Sequence, residues 1–196
     1  MRRIFFFFCL FSLLVLTTSP VEGRKIGGYR FNDQFVVNEN ITLYLNGVGF
    51  LRKYFIDIYA NALYLKKRSS DWQAILDADE PMAMRLHILY GRIPLDELIE
   101  GLRDGFRYST GRDPEKLKPI LERSEKFLSW FDRPTREYDT ATFLYIPGEG
   151  VHVSMNNTYK GVIPGLDFKK ALFGIWLCKK PASRKLKAGI LGLPEP

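Results

Sequence analysis

The sequence has few of the residues that build disulfides and metal sites. Its 196 residues include only two cysteines and two histidines. Cys9 lies in an apolar N-terminal run, so a chain that loses this run keeps only Cys178 and cannot form an internal disulfide. His87 and His152 each stand alone, without a Cys or carboxylate at metal-ligand spacing. We therefore predict no disulfide and no metal site, and we expect Cys178 to be buried and inert.

The sequence also lacks the short motifs of several large functional classes. It contains no Ser nucleophile elbow and no phosphate-binding loop, and Gly47-Val48-Gly49 lacks the third glycine of a dinucleotide fingerprint. The formal charge of +7 could favour anionic partners. However, the basic residues cluster only at 66–68 and 179–187, which we interpret as solvated surface, and no nucleic-acid module is recognisable. We predict no cofactor and no nucleic-acid partner.

The first 23 residues have the three parts of a secretory signal peptide. Arg2 and Arg3 are basic, Ile4 to Leu16 is apolar, and residues 17–23 offer small side chains for cleavage. The apolar run is too short for a membrane span. We predict a signal peptide over residues 1–23, one domain over 24–196, and a periplasmic or secreted location. The alternative is that the segment is retained as an N-terminal anchor.

The segment from Tyr54 to Leu65 is the strongest strand signal in the chain. It is rich in β-forming residues and contains no Gly or Pro. Its even-numbered residues form an apolar face that predicts core, and its odd-numbered residues mix apolar bulk with Asp57, Tyr59 and Asn61, which suits a pocket wall or a contact with helices. We expect a turn at residues 46–49 to pair this strand with residues 41–45.

The remaining pattern predicts an α+β fold with helices laid on a largely antiparallel sheet. Alternation predicts a strand at 82–90 and a hairpin of strands 138–146 and 151–159. Apolar spacing predicts helices at 95–106, 114–131 and 168–178, and a last helix that ends at 191. Asp167 is the predicted N-cap of the third of these helices.

Two motifs resemble the chalcone isomerase superfamily, and most closely its bacterial chalcone isomerase-like branch. The first is Leu-Asn-Gly-x-Gly-x-x-Arg-Lys at 45–53, followed by Ala-x-Ala-Leu-Tyr-Leu at 60–65. The second is the segment 169–187, which resembles the closing helices of that branch. The resemblance covers about residues 36 to 192. It implies an open-faced β-sandwich with a ligand cleft between sheet and helices.

The resemblance makes Arg52 the leading candidate site residue. In plant chalcone isomerases an Arg on the matching segment holds the deprotonated hydroxyl that attacks an enone, which requires a fixed positive charge. Those enzymes also use a Thr on the strand and a Tyr and an Asn on the following helix. Here Tyr59 stands in the place of the Thr, and residues 95–106 contain neither Tyr nor Asn. The resemblance thus implies the fold and Arg52 rather than the activity, and we name no catalytic residue except Arg52 if the protein is an enzyme.

Fatty-acid-binding members of the superfamily give Arg52 another role. They clamp a ligand carboxylate with an Arg and a Tyr, which implies ligand-binding roles for Arg52 and Tyr59, with Asn61 on the same strand. Residues 52 and 59 differ in parity, so this arrangement requires a bulge. The alternatives are that Arg52 pairs with Asp57 at a turn, that Tyr59 is core, and that Asn61 satisfies a backbone group.

Three functional hypotheses follow. The first is an exported, non-catalytic protein that binds a small apolar ligand with an anionic or phenolic group, such as a fatty acid. The second is an intramolecular lyase that cyclises a chalcone-like substrate to a flavanone. The third is an envelope interaction or assembly protein without a ligand pocket.

Overall fold

The computed structural model describes residues 24–26 and 29–194. The predicted signal peptide at 1–23 lies outside these residues. The strands are β1 (Arg24–Ile26), β2 (Tyr29–Phe31), β3 (Gln34–Asn38), β4 (Ile41–Lys53), β5 (Ile56–Leu65), β6 (Met82–Ile88), β7 (Arg92–Ile93), β8 (Thr135–Arg136), β9 (Thr140–Ile146), β10 (Gly150–Met155) and β11 (Thr158–Ile163). The helices are α1 (Trp72–Asp77), α2 (Leu95–Ser109), α3 (Pro114–Leu117), α4 (Leu121–Leu128), α5 (Leu166–Leu177) and α6 (Arg184–Ile190).

Seven strands form one antiparallel sheet in the order β11-β10-β9-β6-β5-β4-β3. The short pairs β1-β2 and β7-β8 lie outside it. Helices α2, α5 and α6 pack on one face of this sheet, where the larger hydrophobic core forms. The predicted α+β class, with a largely antiparallel sheet under helices, is therefore confirmed.

The glycine-containing segment at 46–49 is part of a strand, so the turn predicted there is wrong. Strand β4 continues through it to Lys53, and the chain reverses at Tyr54 and Phe55. The glycines serve a different purpose, because the backbone of α6 lies directly against them. A Cβ on Gly47 would meet the carbonyl oxygen of Gly189, and a Cβ on Gly49 would meet that of Leu186.

The two faces of β5 join two different cores over residues 60–65. The odd-numbered face contacts the helices as predicted, but the even-numbered face predicted as core is exposed at Tyr54 and Ile56, because the chain turns there. Leu63 and Leu65 point to the helices and join the larger core. Ala60, Ala62 and Tyr64 point to the opposite face, where they form a second buried cluster with Phe31 and others. Burial on both faces explains why residues 62–65 form a continuous apolar run instead of the alternation of apolar and polar residues in a half-solvated strand.

Two helix predictions need correction. The helix predicted over 114–131 is divided into α3, a 3₁₀ turn at Lys118–Ile120 and α4, because Pro119 interrupts regular α-helical hydrogen bonding. Helix α5 begins at Leu166 with Gly165 at its N-cap, so Asp167 is not the cap. Asp167 instead forms a two-pronged ion pair with Arg123, with oxygen-to-nitrogen distances of 2.8 and 2.5 Å. The predicted burial of Cys178 is confirmed.

His87 gives the second core a predicted pH dependence. Its buried ring stacks on Tyr29 at 3.4 Å between centroids, and its Nδ1 has no partner among the described residues. Burial, assisted by the charge of Arg85, lowers the pKa of His87 below its ordinary 6.5. The unfolded chain therefore takes up a proton near pH 6.5 that the folded chain resists, so stability is lost as the pH falls below 6.5. We expect a loss of up to about 1.4 kcal/mol per pH unit in urea unfolding.

The control for this prediction is the other histidine. His87→Phe keeps the stacking on Tyr29, and we expect its free energy of unfolding to fall less than that of the wild type between pH 6.5 and 5. His152→Gln removes a half-exposed ring and is expected to leave the loss unchanged. If the free energy of unfolding of His87→Phe depends on pH as steeply as that of the wild type, His87 is not the source of the pH dependence.

Candidate functional site

A cleft between the sheet and the helices is lined mainly by apolar side chains. It contains two adjoining cavities of about 380 and 300 Å³. Both are lined by Leu86 and Ile88 of β6 and by Leu98 and Leu102 of α2. Each volume is at the small end of the range of roughly 300–1,000 Å³ that ligand pockets occupy. Because the two cavities share four apolar side chains, an elongated ligand could extend from one into the other.

Tyr59 and Trp176 line the first cavity, which lies towards α5 and α6. The indole Nε1 of Trp176 donates a hydrogen bond to the Tyr59 hydroxyl at 2.9 Å. Burial raises the pKa of Tyr59 to about 12, and the hydrogen bond from Trp176 opposes this only partly. The phenol therefore stays neutral at physiological pH and keeps its own proton available for donation.

Carboxylates also line this first cavity. Glu97 and Asp104 both lie on α2, and Asp104 is paired with Arg107 at 2.7 Å. A second anion beside Glu97 would be repelled. This end of the cleft therefore suits an apolar or hydroxyl-bearing group better than a charged head group.

Arg52 is not among the residues that line either cavity. It lies at the end of β4, where its Nε and Nη2 donate to the two oxygens of Asp57 at 2.7 and 3.1 Å. The bulge that the clamp requires is present, because Leu51 pairs with Tyr59 while Arg52 pairs with Asp57. Even so, the guanidinium is directed along the exposed hairpin, so the pairing with Asp57 that was the simpler alternative is what the structure contains.

Asn61 is fully buried under the helices, two residues along β5 from Tyr59. Its Nδ2 lies 3.5 Å from the sulfur of Met84, and its Oδ1 has no partner among the described residues. An unsatisfied buried carbonyl costs free energy, so it requires an explanation such as a ligand or a bound water. Asn61 does not line either cavity, and its position supports a role next to the site rather than within it.

The second cavity is lined by charged side chains of both signs, the cations Lys160 and Arg133 and the carboxylates Asp132 and Asp139. Lys160 of β11 and Thr135 of β8 line it, and the buried Thr135 hydroxyl has no hydrogen-bond partner among the described residues. Arg133 also lines it, but both of its terminal nitrogens bind Asp139 at 2.9 and 3.0 Å. Burial disfavours the Asp139 carboxylate, but hydrogen bonds from Arg133, the Arg136 backbone and Asn156 outweigh this effect and hold its pKa below the usual range.

Sequence reasoning missed Lys160 and Thr135. Lys160 lies at the end of a predicted hairpin and Thr135 in a loop before it, and neither belongs to a motif. They line the same cavity only because β8 and β11 both border it in the folded chain. No signal in the sequence links them to Tyr59.

The described residues offer neither a metal-binding cluster nor a helix that could span a membrane. No cluster of three or more His, Cys, Asp or Glu side chains there is arranged to hold a metal ion. None of the helices in that part of the chain is both long and apolar enough to cross a membrane.

Comparison with known proteins identifies relatives by family and by fold. The sequence profile of a family described as chalcone isomerase-like matches residues 23–192. No curated protein sequence gives a significant match. Among solved structures, the crystal structure of an Arabidopsis thaliana fatty-acid binding protein is similar, with a TM-score of 0.63 and 17% sequence identity. The match covers 84% of this chain and 92% of that one, so the similarity extends over the whole fold.

Proposed function

The chain belongs to the chalcone isomerase-like family, and we propose that it is an exported carrier that binds a fatty-acid-like ligand without turnover. The observation that carries this proposal is the pair of adjoining apolar cavities between the sheet and α2, which together form one elongated cleft. The fatty-acid binding protein of similar fold supports the same ligand class. The apolar N-terminal segment of the sequence supports export to the periplasm or the exterior.

The charges of the cleft set the orientation that we propose. The aliphatic chain occupies the first cavity, between Tyr59 and Trp176, because Glu97 there would repel a carboxylate. The carboxylate lies in the second cavity. Asp132 and Asp139 line this cavity as well, but it also has the cations Lys160 and Arg133, whereas the lining of the first cavity includes no Lys or Arg. Lys160 supplies the positive charge and the Thr135 hydroxyl a free donor. This orientation satisfies a buried hydroxyl that otherwise has no partner.

Lys160→Ala is expected to weaken binding of a long-chain fatty acid by about tenfold, which is the loss of one charge-assisted hydrogen bond of about 1.4 kcal/mol. Thr135→Val is expected to weaken it by a smaller factor, because a neutral hydrogen bond contributes less. Displacement of a fluorescent fatty acid from the purified protein measures both. Lys67→Ala, on the exposed surface after β5, is the control and should bind like the wild type.

Arg52→Ala tests the opposite orientation, in which Arg52 and Tyr59 hold the carboxylate and Asn61 lies behind them. In our orientation this variant binds like the wild type, because Arg52 is engaged with Asp57 outside the cavity lining. A tenfold loss in Arg52→Ala together with normal binding in Lys160→Ala would reverse the orientation. Unchanged binding in both variants would contradict a carboxylate head group.

Native mass spectrometry of the protein purified from its own cells, followed by solvent extraction, tests the carrier role directly. We expect a co-purifying acyl or other amphipathic molecule whose mass identifies the ligand class. Leu98→Trp fills the region that both cavities share and is expected to abolish co-purification. A wild-type protein that neither carries nor binds any amphipathic molecule would overturn the proposal in favour of an interaction protein.

The lyase alternative has a distinct test. Oxa-Michael cyclisation needs a positive charge at the nucleophilic oxygen, whereas the first cavity presents Glu97 and Asp104. We therefore expect no cyclisation of a chalcone above the rate in buffer. A measurable rate that Arg52→Ala abolishes would establish the enzyme.

A further inference from the structure

The turn between β4 and β5 carries the two most exposed large apolar side chains of the described residues, followed by a third that is half exposed. Phe55 is 97% exposed, Tyr54 is 86% exposed and Ile56 is 51% exposed. They are consecutive, so they form one apolar tip rather than isolated surface residues. A contiguous exposed apolar patch marks a contact with a partner or a membrane.

Neither the turn nor the core requires these side chains. Tyr54 has a φ of 57°, a left-handed conformation in which Gly or Asn would be less strained. The side chain of Phe55 is almost fully exposed to solvent, so it contributes almost nothing to packing. The chain therefore carries bulky apolar residues where turn geometry favours small or polar ones, and strain of this kind points to a role outside the fold.

Exposed cations lie at the end of the molecule that carries this tip. Lys53 directly precedes it, and Asp57, the nearest carboxylate along the hairpin, is already paired with Arg52. The start of α6 lies at the same end of the molecule, because α6 runs antiparallel to β4, with Leu186 against Gly49 and Gly189 against Gly47. The exposed cations of residues 179–185, which lead into α6, are Lys179, Lys180, Arg184 and Lys185.

The tip also lies beside the opening of the first cavity. Leu51 and Ile58, which line this cavity, are within three residues of the tip on either side. Ala182 and Ser183, which follow the basic pair at 179–180, line it as well. The apolar tip, the cations and the cavity therefore share one end of the molecule.

We propose that this end of the protein, residues 53–56 together with Lys179, Lys180 and Arg184, is a docking surface for an anionic lipid membrane. Aromatic side chains enter the boundary between head groups and acyl chains, and lysine and arginine are attracted to anionic head groups around them. An anionic bilayer matches an apolar tip next to exposed lysine and arginine; the carboxylates Glu97 and Asp104 line the cavity and not the tip, and Asp57 is paired with Arg52. The further consequence, that a ligand passes from the bilayer into the first cavity, rests on the proposed carrier function; the docking itself does not.

A fluorescent probe at the tip tests this surface in the full-length chain. We attach an NBD group to Phe55→Cys in a Cys9→Ser background, where Cys178 is buried and protected. Vesicles of phosphatidylcholine and phosphatidylglycerol at 3:1 are expected to raise the NBD emission about threefold, and lipids with a spin label on the acyl chain are expected to quench it. Pure phosphatidylcholine vesicles, or 0.5 M salt, are expected to reduce the change severalfold.

The matched control is a probe on Tyr138→Cys, a residue that is also exposed and also has a positive φ but has Glu137 and Asp139 as neighbours. The NBD emission at position 138 should not change with vesicles, even if another part of the chain binds the membrane. The double change of Lys179 and Lys180 to Glu should abolish the response at position 55. The same double change of Lys66 and Lys67, at the far end of β5, should leave it intact.

Three outcomes would overturn the proposal. They are no emission change at position 55 with vesicles, an equal change at position 138, and a change at position 55 that follows protein concentration without lipid, which would indicate contact between two copies. Binding of a fatty acid in solution is measured separately, so a failed vesicle response with normal fatty-acid binding would refute the docking surface and leave the carrier proposal standing.

Discussion

Lys169→Ala is expected to lower the free energy of unfolding by about 3 kcal/mol or more, because it leaves three backbone carbonyls without their donor, and each unsatisfied buried group costs about 1–3 kcal/mol. Lys169 is fully buried in α5, and its ammonium donates to the backbone carbonyls of Ile75, Leu76 and Ala78 at 2.9, 2.9 and 2.8 Å. These carbonyls end α1, so the lysine caps this short helix and attaches it to α5. Urea unfolding measures the loss, and we expect the melting temperature to fall by about 10 °C.

The neighbouring lysine is a matched control. Lys170 pairs with Asp77 at 2.8 Å on the same two helices, but both side chains are largely exposed. Lys170→Ala is therefore expected to cost less than about 1 kcal/mol. Equal effects in the two variants would show that the buried cap contributes no more than a surface ion pair.

Lys169 also predicts a dependence on alkaline pH. Burial, with a contribution from the nearby Lys170 charge, lowers the pKa of Lys169 to about 8 from its ordinary 10.5. Between these values the unfolded chain holds a proton that the folded chain has released, so stability rises with pH across this window. We expect the wild type to gain stability relative to Lys169→Met between pH 8 and 10.5. A constant difference would contradict the lowered pKa.

Gly49→Val is expected to destabilise the domain by about 3 kcal/mol or more, because a side chain at this position meets the backbone of Leu186 rather than a movable group. Helix α6 cannot then remain on β4. Since Leu186 and Ser183 also line the first cavity, ligand binding is expected to fall together with stability. Thermal unfolding and fatty-acid displacement on the same sample measure both effects.

A second glycine separates steric contact from the general cost of replacing glycine. Gly101 is exposed within α2, and a Cβ there would meet nothing within 4 Å. Gly101→Ala is expected to stabilise the domain by about 0.5–1 kcal/mol, because alanine favours the helix and restricts the unfolded chain. A stable Gly49→Val variant with normal binding would show that α6 is not docked as described.

Several elements were predictable because each depends on local periodicity. Alternation along β5 gave both of its faces, and apolar spacing gave α2 and α5 to within a few residues of their ends. The turn between β4 and β5 was not predictable in the same way. Gly47 and Gly49 indicated a turn by composition, but they are needed where α6 approaches the sheet, and α6 follows them by about 140 residues.

The candidate site shows the same division. Tyr59 and Asn61 could be selected because they interrupt an apolar strand, and the structure places Tyr59 in the cavity lining. Arg52 was selected by resemblance, and its position depends on Asp57 five residues away. Lys160 and Thr135 carry no motif, so only the folding of β8 and β11 around the cleft brings them together.

The sequence by itself determined the α+β class, the two-sided strand β5 and membership of the chalcone isomerase-like family, because these follow from the spacing of apolar residues and from contiguous motifs. The tertiary structure alone decided the burial of Lys169, the close approach of α6 to two glycines, and the polar end of the cleft. Residue type predicts an exposed lysine and a flexible glycine. Their actual roles depend on partners distant in sequence, and such contacts exist only once the chain has folded.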